Sequence, residues 1–271
     1  MTLQTRRFEF GENWADYLRL VSENALAKAQ RSFEEFTGLP SLKDKSFLDL
    51  GCGSGIHSLV ASRLQAARVV SFDYDAKSVE TCRELQSSYA PDVKNWTITQ
   101  GDVLDKIFLG RLGMFDYVYS WGVLHHTGRL WEAIQNAQAL VLPGGYLHLA
   151  IYNKHWTSGG WKIVKALYVH APKRVQSLWL TLYIAWEKLK LWLRYRGGTA
   201  AWIEQYSQDR GMLWRTNLRD WLGGYPYEYA TVREVTTYLA ARGFQTLKVA
   251  PNSGTGCSEF LFQRMPAPGN A

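Results

Sequence analysis

Cysteine is scarce in this 271-residue chain, which holds only Cys52, Cys82 and Cys257. An odd, scattered set without Cys-x-x-Cys spacing excludes a disulfide framework and a zinc ribbon, and it implies a reducing, cytoplasmic setting. Long apolar runs are missing too. The longest, Leu178 to Trp186, is too short to cross a bilayer and is bracketed by Lys173, Arg174, Lys188 and Lys190, so the chain reads as not membrane-spanning. Residues Met1 to Glu12 alternate charged and aromatic side chains and lack the apolar centre of a secretion signal. The net charge of +7 is spread out, with no basic block of five or more residues, so it is weak support for an acidic substrate, a nucleic acid or an anionic membrane as partner. Asp, Glu and His nowhere gather at ligand spacing, and no metal is expected.

What the chain does hold is organised around Phe47-Leu48-Asp49-Leu50-Gly51-Cys52-Gly53-Ser54-Gly55. An apolar run, glycines at alternate positions and the apolar-periodic stretch from Ile56 to Leu64 read as strand, tight turn and helix. Glycine permits the left-handed turn and lets backbone lie against a ligand, while the helix start presents free N–H groups to it. A dinucleotide site wants Gly-x-Gly-x-x-Gly; here the spacing is Gly-x-Gly-x-Gly with Asp49 ahead of it. A second strand, Arg68 to Asp73, ends on an acid 22 positions after Gly51, close to the interval at which nucleotide folds place a carboxylate on ribose hydroxyls. Capping of the helix that starts near Ala76 is the other duty open to Asp73, although Asp75 suits it better.

Further strands follow at Asn95 to Gln100, then Gly101-Asp102-Val103, and at Phe115 onward, leaving through Ser120-Trp121-Gly122-Val123-Leu124-His125-His126-Thr127. A helix from Arg129 to Val141 stops at Pro143-Gly144-Gly145, where proline ends the helix and the glycines supply a turn into a strand over Tyr146 to Tyr152. Thr246 to Ala250 and Glu259 to Gln263 read as a closing strand pair, and Met265 to Ala271 as a loose tail.

From about Lys45 to Asn153 these motifs resemble, in order and spacing, the class I S-adenosylmethionine (SAM) methyltransferases. Trp121 to Thr127 and Ala150-Ile151-Tyr152-Asn153 resemble the small-molecule subgroup related to ubiquinone-biosynthesis and polysaccharide-cluster methylases. The resemblance implies an α/β fold: a Rossmann-like, seven-stranded mixed sheet of order 3-2-1-4-5-7-6, strand 7 antiparallel, with helices on both faces and a helical insertion after strand 5. It implies SAM as cofactor and S-adenosylhomocysteine as product, with methyl transfer to an oxygen or nitrogen of a small-molecule acceptor. The glycine loop (Gly51, Cys52, Gly53, Gly55) would lie along the methionine moiety and Asp49 near its amino group. Asp73 would take the ribose and Asp102 the adenine, unless Asp102 is only a turn residue, and Tyr74, Val103 and Ser120 complete the cofactor set. Nucleobase methylases often carry an Asn/Asp/Ser-Pro-Pro-aromatic tetrad where this chain has Ser120-Trp121-Gly122-Val123, so a nucleic-acid substrate is disfavoured. Of the doubled histidines, His125 is the one the family suggests as base, with His126 sharing the assignment; capping of the next helix is the alternative for both.

Four segments result: an amino-terminal helical cover (1–44), the SAM-binding core (45–153), a helical insertion (154–206), and a substrate loop with the final strands (207–271). Aromatic Phe8, Phe10 and Trp14 with Gly11 and Asn13 suit either a lid or plain packing. In the insertion Pro172 divides two helices, and Val175, Leu178, Leu182, Ala185 and Leu189 form a stripe expected to pack on the core. A pocket cap, a dimer surface and an interfacial helix stay open beside that reading. Residues 210–228, too irregular for a core element, read as a binding loop. The acceptor set is Trp14, Trp121, Tyr152, Asn153, Trp221, Tyr225, Tyr227 and Glu228. Rival functions are a lipid-linked or glycan acceptor at a membrane surface, a SAM-binding module without turnover, and a nicotinamide oxidoreductase, against which the glycine spacing speaks.

Overall fold

The computed structural model describes residues 21–210 and 214–266 together with positions 11 and 18. Phe8, Phe10, Asn13 and Trp14, on which the lid reading rests, lie outside the described residues, as does most of the tail.

Seven strands form one sheet of order β3-β2-β1-β4-β5-β7-β6. They are β1 (Ser46–Leu50), β2 (Arg68–Asp73), β3 (Trp96–Gln100), β4 (Phe115–Trp121), β5 (Val141–Tyr152), β6 (Phe244–Ala250) and β7 (Cys257–Arg264). The first five run parallel, and β7 is antiparallel to both β5 and β6. The central strands are mostly apolar because successive residues enter opposite layers and both are covered. Phe47 packs with Leu26 and Phe33 of α1 (Glu23–Thr37) and Leu59 of α2 (Ile56–Arg63). Leu48 goes the other way, to Ala133 and Ile134 of α5 (Leu130–Ala139) and to Val235 of α10 (Val232–Ala240). Between them in the chain, α3 (Ala76–Tyr89) and α4 (Lys106–Leu112) cross over from β2 and β3.

Pro143-Gly144-Gly145 differs from the expected helix-to-strand turn. Val141 is already paired with Phe115, and pairing resumes at Tyr146 with Tyr117, so the motif is a bulge inside β5.

The insertion is α6 (Ser158–His170) and α7 (Lys173–Tyr195), broken at Pro172 as expected, and it runs on through α8 (Thr199–Arg210). The expected packing of α7 is corrected. No residue of α7 is fully buried, and Val175, Leu178, Leu182, Ala185 and Leu189 are exposed. What packs is the neighbouring stripe of Trp179, Leu180 and Tyr183, against Trp161 and Val164 of α6. The irregular stretch is corrected in part as well. Trp214–Gly223 is a helix, α9, that buries Trp214, Leu218 and Leu222 at i, i+4, i+8; among the described residues of the stretch, loop begins at Gly224. Among the described residues, no helix is long and apolar enough to cross a membrane.

Candidate active site

The sheet order reverses between β1 and β4, and in open α/β sheets ligands bind outside the carboxyl ends at that switch. The glycine loop leaves β1 there. Gly51 (φ 76°) and Gly55 (φ 84°) are both left-handed. A Cβ on Gly51 would stand 2.4 Å from a Val123 methyl, and one on Gly55 2.4 Å from the Cys82 sulfur, so both positions require glycine for space as well as for backbone. Gly51 and Cys52 donate their N–H groups to Phe72 O, and Gly53 donates to Asp73 Oδ2 at 3.0 Å. The loop is thus clamped onto the end of β2 by the carboxylate expected to meet a ribose.

Asp49 is buried, and a chain of donors ends on it. Trp96 Nε1 donates to Ser71 Oγ (2.8 Å), the Ser71 and Ser58 hydroxyls are 2.7 Å apart, and Ser58 Oγ donates to Asp49 Oδ2 at 2.5 Å. Since the indole can only donate, the Ser71 hydroxyl turns its proton toward Ser58, and Ser58 turns its own toward Asp49. Burial nevertheless pushes the Asp49 carboxyl up to about 7, the Ser58 bond pulling against it and the charge of Asp73 adding to the rise. Asp73 is lifted by burial to about 6, opposed by the backbone N–H groups of Asp75 and Gly53. Two carboxyls poised near neutrality at the end of a side-chain-free loop suit a cationic ligand carrying hydroxyls.

Across the switch, β4 exits through Trp121, half-exposed, into a 3-10 turn (Leu124–His126). His125 is buried, its Nδ1 accepting from Tyr152 N–H at 3.3 Å, while Nε2 has no hydrogen-bond partner. That contact puts the ring proton on Nε2. His126 has the opposite tautomer: its Nδ1–H donates to Pro226 O at 2.8 Å, so Nε2 carries the lone pair. Burial holds His125 well below the usual imidazole range and brings His126 down to about 3. The Tyr152 ring lies tilted against that of His125, centroids 3.9 Å apart, and meets Trp221 (5.8 Å) and Tyr227 (5.2 Å).

Sequence reasoning missed Lys165 of α6. Its Nζ donates to Trp221 O and sits 4.0 Å from the Trp221 ring centroid and 4.9 Å from that of Tyr227. Burial lowers its ammonium to about 7 against the pull of Asp220. A lysine four residues from Trp161 and three from Tyr168, on the packed side of a helix, was the available signal. Ser58, Ser71 and Trp96 were also missed, as their sequence surroundings are those of ordinary core elements.

The remaining expected site residues are not all gathered at the crevice mouth. Asp102 Oδ1 accepts from Leu104 N–H, closing its own turn, and Val103 is buried in the core. Ser120 Oγ donates to Leu50 O, tying β4 to β1, and Tyr74 is half-exposed beyond Asp73. Asn153 holds the turn before β7 through Gly254 O and Gly256 O. Tyr225 leans on the His170 ring. Tyr227 is buried in the acceptor wall, while Glu228 uses Oε2 to accept the Leu130 N–H at the start of α5. Trp14 is outside the described residues. An apolar hollow of about 240 Å³ opens between α6 and α7, lined by Trp161, Val164, Trp179, Tyr183 and Leu222 among others; its Trp161 touches Trp221 at 5.1 Å.

Residues 48–147 match the model of a methyltransferase domain. Among characterised proteins, the chain is similar to the ubiquinone biosynthesis O-methyltransferases of Rhodopseudomonas palustris strain BisB18 (26% identical over 154 residues, 56% of each chain) and of Caulobacter sp. strain K31 (27% over 143 residues, 51% of each). It therefore spans about half the length of the curated relatives it matches. In fold it is similar to the magnesium protoporphyrin IX methyltransferase of Synechocystis PCC 6803 with bound S-adenosylhomocysteine, at TM-score 0.55 and 14% identity over 94% of this chain and 96% of that one. Residues 48–147 thus form a methyltransferase domain, and the sheet order and glycine loop are those of the class I SAM-dependent methyltransferase fold.

Proposed function

We propose that the chain transfers the methyl group of SAM to an oxygen or nitrogen of a small-molecule acceptor seated against Tyr152 and Trp221. One observation carries the reading: Gly51 packs on Val123 so closely that no side chain fits between them, which sets the cofactor loop directly against the turn bearing His125 and His126. The residues fit the cofactor. Asp49 would face its amino group and Asp73 its ribose, and the glycine loop would lie along its methionine moiety, with Asp102 toward the adenine. The sulfonium supplies an activated methyl. This chain's residues are left to align the acceptor in line with it and to exclude water, which the aromatic wall and the buried His125 favour.

In this reading His126 and His125 hold the acceptor atom in line with the methyl, His125 through its Nε2–H. Lys165 supplies a neighbouring group that titrates where a base is most useful. The three free cysteines favour the reducing, cytoplasmic setting expected above. Incubating the protein with deuteromethyl SAM and a metabolite pool should yield a labelled product by mass spectrometry. Absence of SAM binding by calorimetry would overturn the cofactor assignment, and binding without any labelled product would turn the reading to a non-catalytic module.

A further inference from the structure

Helix α7 uses one side to pack on α6 and leaves another uncovered among the described residues. Val175, Leu178, Leu182, Trp186, Leu189 and Leu193 recur at i, i+3 and i+4 spacing and are each 45% to 65% exposed. At 1.5 Å per residue, the stripe runs roughly 27 Å along the surface. Isolated exposed leucines are ordinary, but a continuous apolar ridge of this length on a helix is a contact surface.

The charges around it choose the occupant. Between Lys173 and Arg196 the helix and its cap carry Lys173, Arg174, Lys188, Lys190, Arg194 and Arg196 against a single acid, Glu187, whose carboxylate is taken up by Lys190 at 2.6 Å. All six cations are exposed. An apolar ridge bracketed by lysine and arginine, with tryptophan at its edge, complements a layer whose interior is apolar and whose face is negative. A transmembrane path is excluded for this helix, so it would lie in the plane of the surface. We propose that α7 seats this protein on an anionic phospholipid membrane. The hairpin partner α6 carries Trp161 and Lys165 of the acceptor wall, so docking would bring that wall to the lipid surface. The proposal does not rest on the methyl-transfer assignment.

The test is flotation with vesicles of phosphatidylcholine alone or with about a third phosphatidylserine. The wild-type chain should float with the anionic vesicles, and at least roughly tenfold less with neutral ones or in about 0.5 M salt, where the charges are screened. Combined Leu182→Ser, Trp186→Ser and Leu189→Ser should reduce association by at least about tenfold, because the lost apolar contact is direct. Those side chains are exposed, so an unchanged melting transition and SAM titration certify the variant's fold. No flotation of the wild-type chain, or equal flotation of the variant, overturns the proposal. A wild-type dimer in solution that the variant converts to monomer, without vesicle association, assigns the ridge to a second copy and overturns it too.

Discussion

Replacing Asp49 by asparagine separates the stability of the fold from its affinity for the cofactor. The buried carboxyl rises from 3.8 to about 7, and at about 1.4 kcal/mol per unit its ionised form costs the native state about 4 kcal/mol. The sign follows from proton binding: the folded chain holds this proton more tightly than the unfolded one. Asp49's contribution is therefore most favourable below about pH 4, declines as pH rises toward 7, and is level above. A SAM ammonium near Asp49 reverses the preference, so binding expels the proton. About half a proton should be released per SAM at about pH 7 and about a tenth at about pH 8, while affinity falls roughly tenfold from about pH 8 to about pH 6. Asp73, at about 6, acts in the same direction lower down. Asp49→Asn should melt at a higher temperature than wild type above about pH 7 without SAM, yet bind SAM roughly ten- to hundredfold more weakly and with a flatter pH dependence. Calorimetry in two buffers of different ionisation heat measures affinity and proton release together, and thermal melts supply the stability. A wild-type affinity level across that range without proton release, or an asparagine variant that binds as well as wild type, would refute the reasoning.

Asp73→Ala removes both the expected ribose contact and the clamp on Gly53, and should weaken SAM binding roughly ten- to hundredfold by calorimetry; a change within about twofold would count against it. His126→Ala should lower the methylation rate by up to roughly 10² through lost alignment, with SAM affinity nearly intact, and His125→Ala should act mainly on acceptor KM; a variant lacking both imidazoles that turns over at wild-type rate would overturn both roles. Above about pH 5 His126, at about 3, is neutral throughout; with SAM saturating, so that Asp49 is already ionised, a rate change near pH 7 belongs to Lys165, and Lys165→Met should abolish it in a pH–rate profile. Glu228→Ala uncaps Leu130 N–H and should cost about 1 kcal/mol in denaturant unfolding; an unchanged midpoint with impaired turnover would return Glu228 to the acceptor site.

Local chemistry already dictated much of this protein. The spacing of Gly51, Gly53 and Gly55 after an apolar strand, the acid at Asp73 and the alternation of apolar strands with helices were readable because each rests on a neighbour-to-neighbour constraint: a turn, a cap, a strand length. Even Pro172 marked its helix break. Contacts between distant segments were not readable. Nothing in the order of residues sets Trp96 and Ser71 on Asp49, or Lys165 under Trp221, because those meetings depend on which strands pair and how a helix rolls over the sheet. The same holds for the histidines. Their place after β4 was visible, but which nitrogen keeps the proton is decided by Tyr152 N–H and Pro226 O, groups 27 and 100 residues away. The stripe of α7 shows the limit most plainly: its period predicted an apolar face correctly, yet a helix carries more than one such face. Only packing against α6 selects the side of Trp179 and Tyr183, leaving that of Leu182 and Trp186 outside.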